Sequence, residues 1–170
     1  MIRLGIFDRI KKSDTKNETS VDIEILSPAD GTFVPMKKIA DDVFSAGVLG
    51  FCCGIEPISG EIFAPIDGVV TQISDTRHAV GIGSDAAEIL LHIGIDTVEM
   101  NGEGFEVMTA VGERVRRGDL IMKADIGKIR EAGHPATVVT VIINSGEMDG
   151  IETNEKDKLS AGDILFRVRK

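Results

Sequence analysis

Three histidines occur, at positions 78, 92 and 134. His78 stands in Thr76-Arg77-His78-Ala79-Val80-Gly81-Ile82, and His92 in Ile89-Leu90-Leu91-His92-Ile93-Gly94-Ile95-Asp96. Between them lies Gly83-Ser84-Asp85-Ala86-Ala87, a turn-rich stretch. A hairpin with a three-residue loop at 84–86 pairs Gly83 with Ala87 and sets His78 opposite His92. Side chains so placed share one face, with Cβ atoms about 4.5–5.5 Å apart. A loop one residue longer or shorter makes them diagonal neighbours. Two imidazoles at that distance can hold a metal, work as an acid–base pair, or share a phosphoryl group. A neutral imidazole nitrogen is a good nucleophile near neutral pH, because its ordinary pKa is about 6.5. A second imidazole can bind phosphoryl oxygens and stabilise developing charge. Ile89, Leu90, Leu91, Ile93 and Ile95 surround His92. A dry rim of that kind slows hydrolysis of a phosphohistidine and offers a partner an apolar surface. A lone buried histidine is usually a satisfied core residue; two that converge across one hairpin call for chemistry.

The elements that must position these side chains read as short strands. Residues 21–26, 68–73, 88–93, 138–143 and 164–168 are rich in Val and Ile and too short for most helices. Helical turns are expected at 125–131 and around 37–42. Gly numbers 19, which suits many tight turns. The expectation is an all-β, antiparallel sandwich or small barrel. Internal echoes add pseudo-repeats. Pro28-Ala29-Asp30-Gly31 resembles Pro65-Ile66-Asp67-Gly68, and Val115-Arg116-Arg117-Gly118-Asp119-Leu120-Ile121 resembles Leu159-Ser160-Ala161-Gly162-Asp163-Ile164-Leu165. The adjacent Cys52 and Cys53 have no metal-ligand spacing and are poor partners for a crosslink; they read as buried small hydrophobes in a reducing cytosol.

Residues 1–20 differ. Ile2, Ile6, Phe7 and Ile10 could share a helical face beside Arg9, Lys11 and Lys12, with Arg3 interrupting it, and a polar stretch follows to Ser20. This reads as a flexible, weakly amphipathic leader able to touch an anionic membrane surface or a partner. Residues 21–170 form one domain. The net charge of −9 argues against general nucleic-acid binding. No apolar run approaches the roughly 18 residues of a transmembrane helix, and Arg3, Asp8 and Arg9 break any secretory leader. The expected location is cytoplasmic, with the leader able to reach the membrane face.

The motifs resemble those of the glucose-type IIA components of the bacterial sugar phosphotransferase system. Ala64-Pro65-Ile66-Asp67-Gly68-Val69-Val70 is similar to that family's opening Ala-Pro-Val-Asp-Gly segment, and Thr76-Arg77-His78-Ala79 to its first histidine motif. Leu91-His92-Ile93-Gly94-Ile95-Asp96-Thr97-Val98 with Gly102-Glu103-Gly104-Phe105 resembles its phosphorylation signature; Val43-Phe44 and Gly50 fit as well. Gly50-Phe51-Cys52-Cys53-Gly54 departs from the usual Gly-Asp-Gly, and Val138-Val139 from a usual Thr-Pro. The resemblance implies a sandwich of the duplicated hybrid motif type and a phosphotransferase component with a phosphohistidine intermediate. It implies that His92 takes phosphate on Nε2 from the phosphocarrier HPr and passes it to a cysteine of a sugar-specific IIB domain. His78 would bind the phosphoryl group, Thr76 would orient His78, and the Gly94 carbonyl would accept from His92 Nδ1. Val43, Phe44 and Val98 would meet the partner, with Asp41 and Asp96 as an acidic rim for its arginine. Regulatory protein targets would be further partners. No cofactor is required, although the two histidines could hold an accessory zinc ion.

Two rivals start from other residues. A zinc-dependent hydrolase on a related β fold needs a third protein ligand, and only His134 remains, beside Pro135 in another region. A biotinyl-type carrier would use Lys123 in Ile121-Met122-Lys123-Ala124, but that lysine follows Gly118-Asp119 in the wrong order.

Overall fold

A computed structural model describes residues 20–170, so the leader expected over 1–20 lies outside the described residues, Ser20 apart. In chain order the strands are β1 Asp22–Leu26, β2 Gly31–Val34, β3 Phe51–Pro57, β4 Glu61–Phe63, β5 Gly68–Ile73, β6 Ala79–Gly83 and β7 Glu88–Ile93. They continue as β8 Phe105–Val107, β9 Arg114–Val115, β10 Leu120–Ala124, β11 Val138–Ile142, β12 Gly150–Thr153, β13 Lys158–Leu159 and β14 Ile164–Arg169. Helix α1 spans Asp42–Ser45 and α2 spans Ile126–Glu131; 3-10 turns occur at Met36–Lys38, Thr97–Met100 and Ser145–Glu147. No described helix is long and apolar enough to cross a membrane.

The helix expected at 125–131 forms as α2, with the Asp125 side chain accepting from Lys128 N at 3.0 Å. The one expected around 37–42 divides. Asp41 is extended at φ −154° and its carboxylate accepts from Val43 N and Phe44 N, so α1 starts after it rather than ending there.

Every strand pairing is antiparallel. The large sheet runs β13-β2-β3-β11-β7-β6-β5-β9, flanked by β1-β14-β12 and β4-β10-β8. This order has an internal symmetry. Strands β4 to β10 make one seven-stranded unit; β1 to β3 with β11 to β14 make its twin, into which the first is inserted. The echoes seen in the sequence brace each unit and join it to the other. Within the outer unit Asp30 Oδ1 accepts from Ala161 N at 2.7 Å, and within the inserted unit Asp67 Oδ1 accepts from Arg117 N at 2.9 Å. Leu26 N donates to Pro65 O at 2.9 Å and Phe63 N to Pro28 O at 2.8 Å, so each repeat's strand bonds the other's Pro-x-Asp-Gly turn.

The main core lies between the sheets and includes Ile55, Ile62, Ile82, Leu91, Ile93, Met122 and Phe166, all buried. A smaller cluster sits on the other face of the large sheet: Ile39, Phe44, Cys52, Ile95, Val139 and Val141, with Met36 and Leu90 against it. Successive residues of β3 face opposite sides, so Cys53 enters the main core and Cys52 the smaller cluster. Both thiols are free and buried. Burial, aided by the charge of Asp41, pushes the Cys52 thiol up to about 11, and burial raises Cys53 as well. They behave as packing groups, not nucleophiles.

Candidate functional site

The site is built on β7. Its alternation sends Ile89, Leu91 and Ile93 into the main core and turns Leu90 and His92 to the opposite face. Across the sheet, the row through His92 reads Gly54, Val139, His92, Ala79. The neighbours are small or flat, so the imidazole stands over a low floor.

His78 reaches His92 by a different route from the one expected. The hairpin pairs Ala79 with His92 and Gly83 with Glu88, so its loop holds four residues, not three. The Ser84 hydroxyl accepts from Ala86 N and Ala87 N at 3.3 and 3.1 Å, and Ser84 N donates to Ala87 O at 2.9 Å. These bonds hold Ala87 in the turn. In a regular strand this shift would send His78 to the far face, not to the diagonal position expected for a longer loop, because a one-residue slip reverses every side chain. His78 instead precedes β6, in a turn where Arg77 N donates to Ser74 O at 2.8 Å and Arg77 adopts φ 58°. That left-handed residue swings His78 back. The two rings meet edge to face, centroids 4.8 Å apart and planes at 77°.

Both rings are held by their Nδ1 atoms. His92 Nδ1 lies 2.8 Å from Gly94 O. Gly94 sits at φ 77°, and a Cβ there would approach Thr97 Cγ2 to 2.4 Å, so the position requires glycine. Gly94 N donates to Thr137 O and Ile95 N to Pro135 O, each at 2.9 Å, and Thr97 Oγ1 donates to Ile93 O at 2.6 Å. The peptide that carries the accepting carbonyl is therefore held by Ile95 N, and the peptide before it by Gly94 N and the Ile93 carbonyl. His78 Nδ1 lies 2.7 Å from Thr76 Oγ1 and 3.3 Å from Ser74 Oγ. Burial lowers the His78 pKa to about 4, with the neighbouring His92 adding to the effect. Burial also lowers that of His92, opposed by the Gly94 carbonyl and by Asp41 and Asp96. Both imidazoles are neutral at pH 7.

Phe44 is 6% exposed and packs edge-on against His92, centroids 5.0 Å apart. Its carbonyl accepts from Cys52 Sγ at 3.3 Å. Asp41 caps the helix that carries it. Val43 and Val98 are exposed, as are Val48 and Leu49 on the turn after α1. Asp96 is exposed at the start of the 3-10 turn following Gly94, at φ 58°. His134 stays apart from the pair: its Nε2 faces Glu99 at 3.7 Å. Among the described residues no group of three or more His, Cys, Asp or Glu converges as a metal site, so the donor set falls short of a zinc hydrolase. Sequence reasoning missed Ser74, Thr137 and the apolar pair Val48 and Leu49. Ser74 could have been suspected from its spacing to His78; Thr137 carried no local signal.

The family described as phosphoenolpyruvate-dependent sugar phosphotransferase system, EIIA 1, matches residues 23–148. A β-glucoside-specific EIIBCA component of Halalkalibacterium halodurans is 37% identical over 160 residues, covering 94% of this chain and 25% of that protein. A glucose-specific EIICBA component of Staphylococcus saprophyticus is 36% identical over 152 residues, 89% of this chain and 22% of that one. The chain thus spans about a quarter of the length of these curated relatives. Among solved structures, the glucose permease IIA from Mycoplasma capricolum superposes with a TM-score of 0.81 at 30% identity, covering 86% of this chain and 96% of that one. The β architecture is the same, and the match in sequence runs through both histidine motifs. The chain belongs to the EIIA 1 family of the phosphoenolpyruvate-dependent sugar phosphotransferase system.

Proposed function

We propose that His92 is the phosphate carrier of this domain, accepting from phospho-HPr on Nε2 and delivering to a cysteine of a sugar-specific IIB domain. The observation that carries this reading is the short contact between His92 Nδ1 and the Gly94 carbonyl. A carbonyl can only accept, so Nδ1 keeps the proton and Nε2 keeps the lone pair. That lone pair attacks phosphorus, the bond to the donor's nitrogen breaks, and the electron pair stays with the donor. Fusion of EIIA to EIIB and EIIC segments in the relatives' names supports a IIB acceptor for this chain.

His78 plays the complementary part. The Ser74 hydroxyl accepts from Ala79 N at 3.1 Å, which leaves its own proton for His78 Nδ1; Thr76 can donate there too. An Nδ1 that accepts puts the proton on Nε2, aimed at phosphoryl oxygens. The depressed pKa keeps this helper neutral, so it donates a hydrogen bond without supplying a competing cation. Val43 and Val98 with Asp41 and Asp96 form the face a partner would meet, and buried Phe44 supports it from beneath His92. A zinc ion held by both histidines would need a further ligand from that partner.

The test is phosphosite mapping after incubation with phosphoenolpyruvate, enzyme I and HPr. His92→Ala is expected to take no label, and undiminished labelling would overturn the assignment. His78→Gln is expected to be labelled at His92 yet to pass phosphate to IIB much more slowly; normal onward transfer would remove His78 from the mechanism.

A further inference from the structure

The row of the sheet beside His92 holds a socket. Where β3, β11 and β7 run side by side, the row next to Gly54, Val139 and His92 continues as Glu56, Thr137 and Gly94. Thr137 lies just before β11 and is buried. Its Oγ1 donates to Glu56 Oε2 at 3.1 Å, across 81 residues of chain. Glu56 Oε1 in turn accepts from Arg130 Nη2 of α2 at 2.9 Å. The methyl group of Thr137 fills the notch left by Gly54, where a Cβ would come within 2.6 Å of Thr137 Cγ2. Thr137 is thus pinned at both branches of its side chain. Its carbonyl accepts from Gly94 N at 2.9 Å, and the Gly94 carbonyl holds His92 Nδ1 at 2.8 Å.

We infer that Thr137, anchored by Glu56, is a positioning residue for His92: its carbonyl fixes the Ile93–Gly94 peptide, which leads into the accepting Gly94 carbonyl, and so the tautomer of the phosphate-accepting ring. The inference deepens the phosphocarrier reading and rests on it for its kinetic arm. Residues 132–137 contain no α-helix or strand; the amides of Ala132, Gly133 and His134 donate back into α2, and the Pro135 and Thr137 carbonyls take Ile95 N and Gly94 N. The ion pair of Glu56 with Arg130 is half-exposed and adds little stability by itself. Its use is to keep the carboxylate turned toward Thr137. A ring left free of its carbonyl partner would divide between the two neutral tautomers, and only one presents a lone pair at Nε2.

The experiment reads the tautomer directly, from the imidazole nitrogen shifts of His92 in the unphosphorylated full chain. The parent is expected to be almost wholly protonated on Nδ1. Thr137→Val keeps the methyl in the Gly54 notch but cannot donate to Glu56. It is expected to raise the Nε2-protonated fraction about threefold or more, and to slow phosphate acceptance from phospho-HPr about five-fold. Thr137→Ser restores the hydroxyl and is expected to restore both. Glu56→Ala is expected to match Thr137→Val, with the fold of each variant checked by circular dichroism. An unchanged tautomer in Thr137→Val, or no recovery in Thr137→Ser, would overturn the inference. A parent chain that takes no phosphate would overturn the carrier reading while leaving the tautomer result to stand.

Discussion

At the scale of single residues, His78 and His92 are neutral because burial penalises their charged forms. Two measurements follow. Phosphate acceptance is expected to stay level from pH 8 to pH 6.5 and to fall only at lower pH, since His92 protonates below the ordinary histidine value. An acceptance rate that halves near the ordinary value of about 6.5 would contradict this. Stability follows the same protons. With folded pKa values below the unfolded ones, the unfolded chain binds more protons once the pH drops under about 6.5. The native state is therefore fully stable above that value and loses stability as pH falls toward 4. Urea titrations at pH 7 and pH 5 should show the decline, and His78→Gln should reduce it. Thr140 is a different case. It lies in β11, is fully buried, and its hydroxyl has no hydrogen-bond partner among the described residues. Thr140→Val keeps the shape and removes the unsatisfied group, so stability is expected to rise by about 1 kcal/mol in the same titration. A loss of that size would mean that the hydroxyl is satisfied.

At the scale of elements, α1 has four residues and no length to stand alone. It holds because Asp41 caps it and Phe44 is packed on His92. Asp41→Ala is expected to cost about 1 kcal/mol and to loosen the Phe44 contact, slowing acceptance by His92. A stability unchanged in chemical denaturation would show that the cap is dispensable. Much of this level was legible in advance. Short runs rich in Val and Ile marked strands, and the helical turn expected at 125–131 formed as α2. Both histidines could be paired because one hairpin joins them within 14 residues. The register was off by one because the Ser84 hydroxyl, which closes the loop by taking two amides, looks in the sequence like any turn residue. The swing of His78 depends on a positive φ at Arg77, a residue type that gives no warning of it. The tie between Thr137 and Glu56 joins strands distant in the chain, and no local pattern encodes such a contact.

At the scale of the molecule, two like units interlock, and only one holds the histidine pair. Aligning Gly31 with Gly68 and following the registers, Cys52 corresponds to Ala79 and Val141 to His92. The outer unit has apolar groups where the inserted unit has His92, and Val141 and Cys52 pack in the small cluster with Phe44. The Asp-Gly turns that bind the units should thus serve folding without serving transfer. Asp30→Ala and Asp67→Ala are each expected to lower stability by about 1–2 kcal/mol and to leave labelling of His92 intact. Unequal losses would mean that one unit depends more on its own turn than its twin does. Deleting residues 1–17 is expected to leave labelling intact too, since β1 opens at Asp22. The pairing of β1 with β14 has one more consequence. Val21 N donates to Lys170 O at 3.1 Å and Lys170 N to Val21 O at 3.2 Å, so the two ends of the folded body are side by side. Topologically the domain is almost a closed ring. A few linker residues joining Lys170 to Ser20 would make it one, and the ring could then be cut at the exposed loop 110–112. Such a circular permutant should fold and still load His92, because the order in which the strands are threaded is incidental to the surface they build.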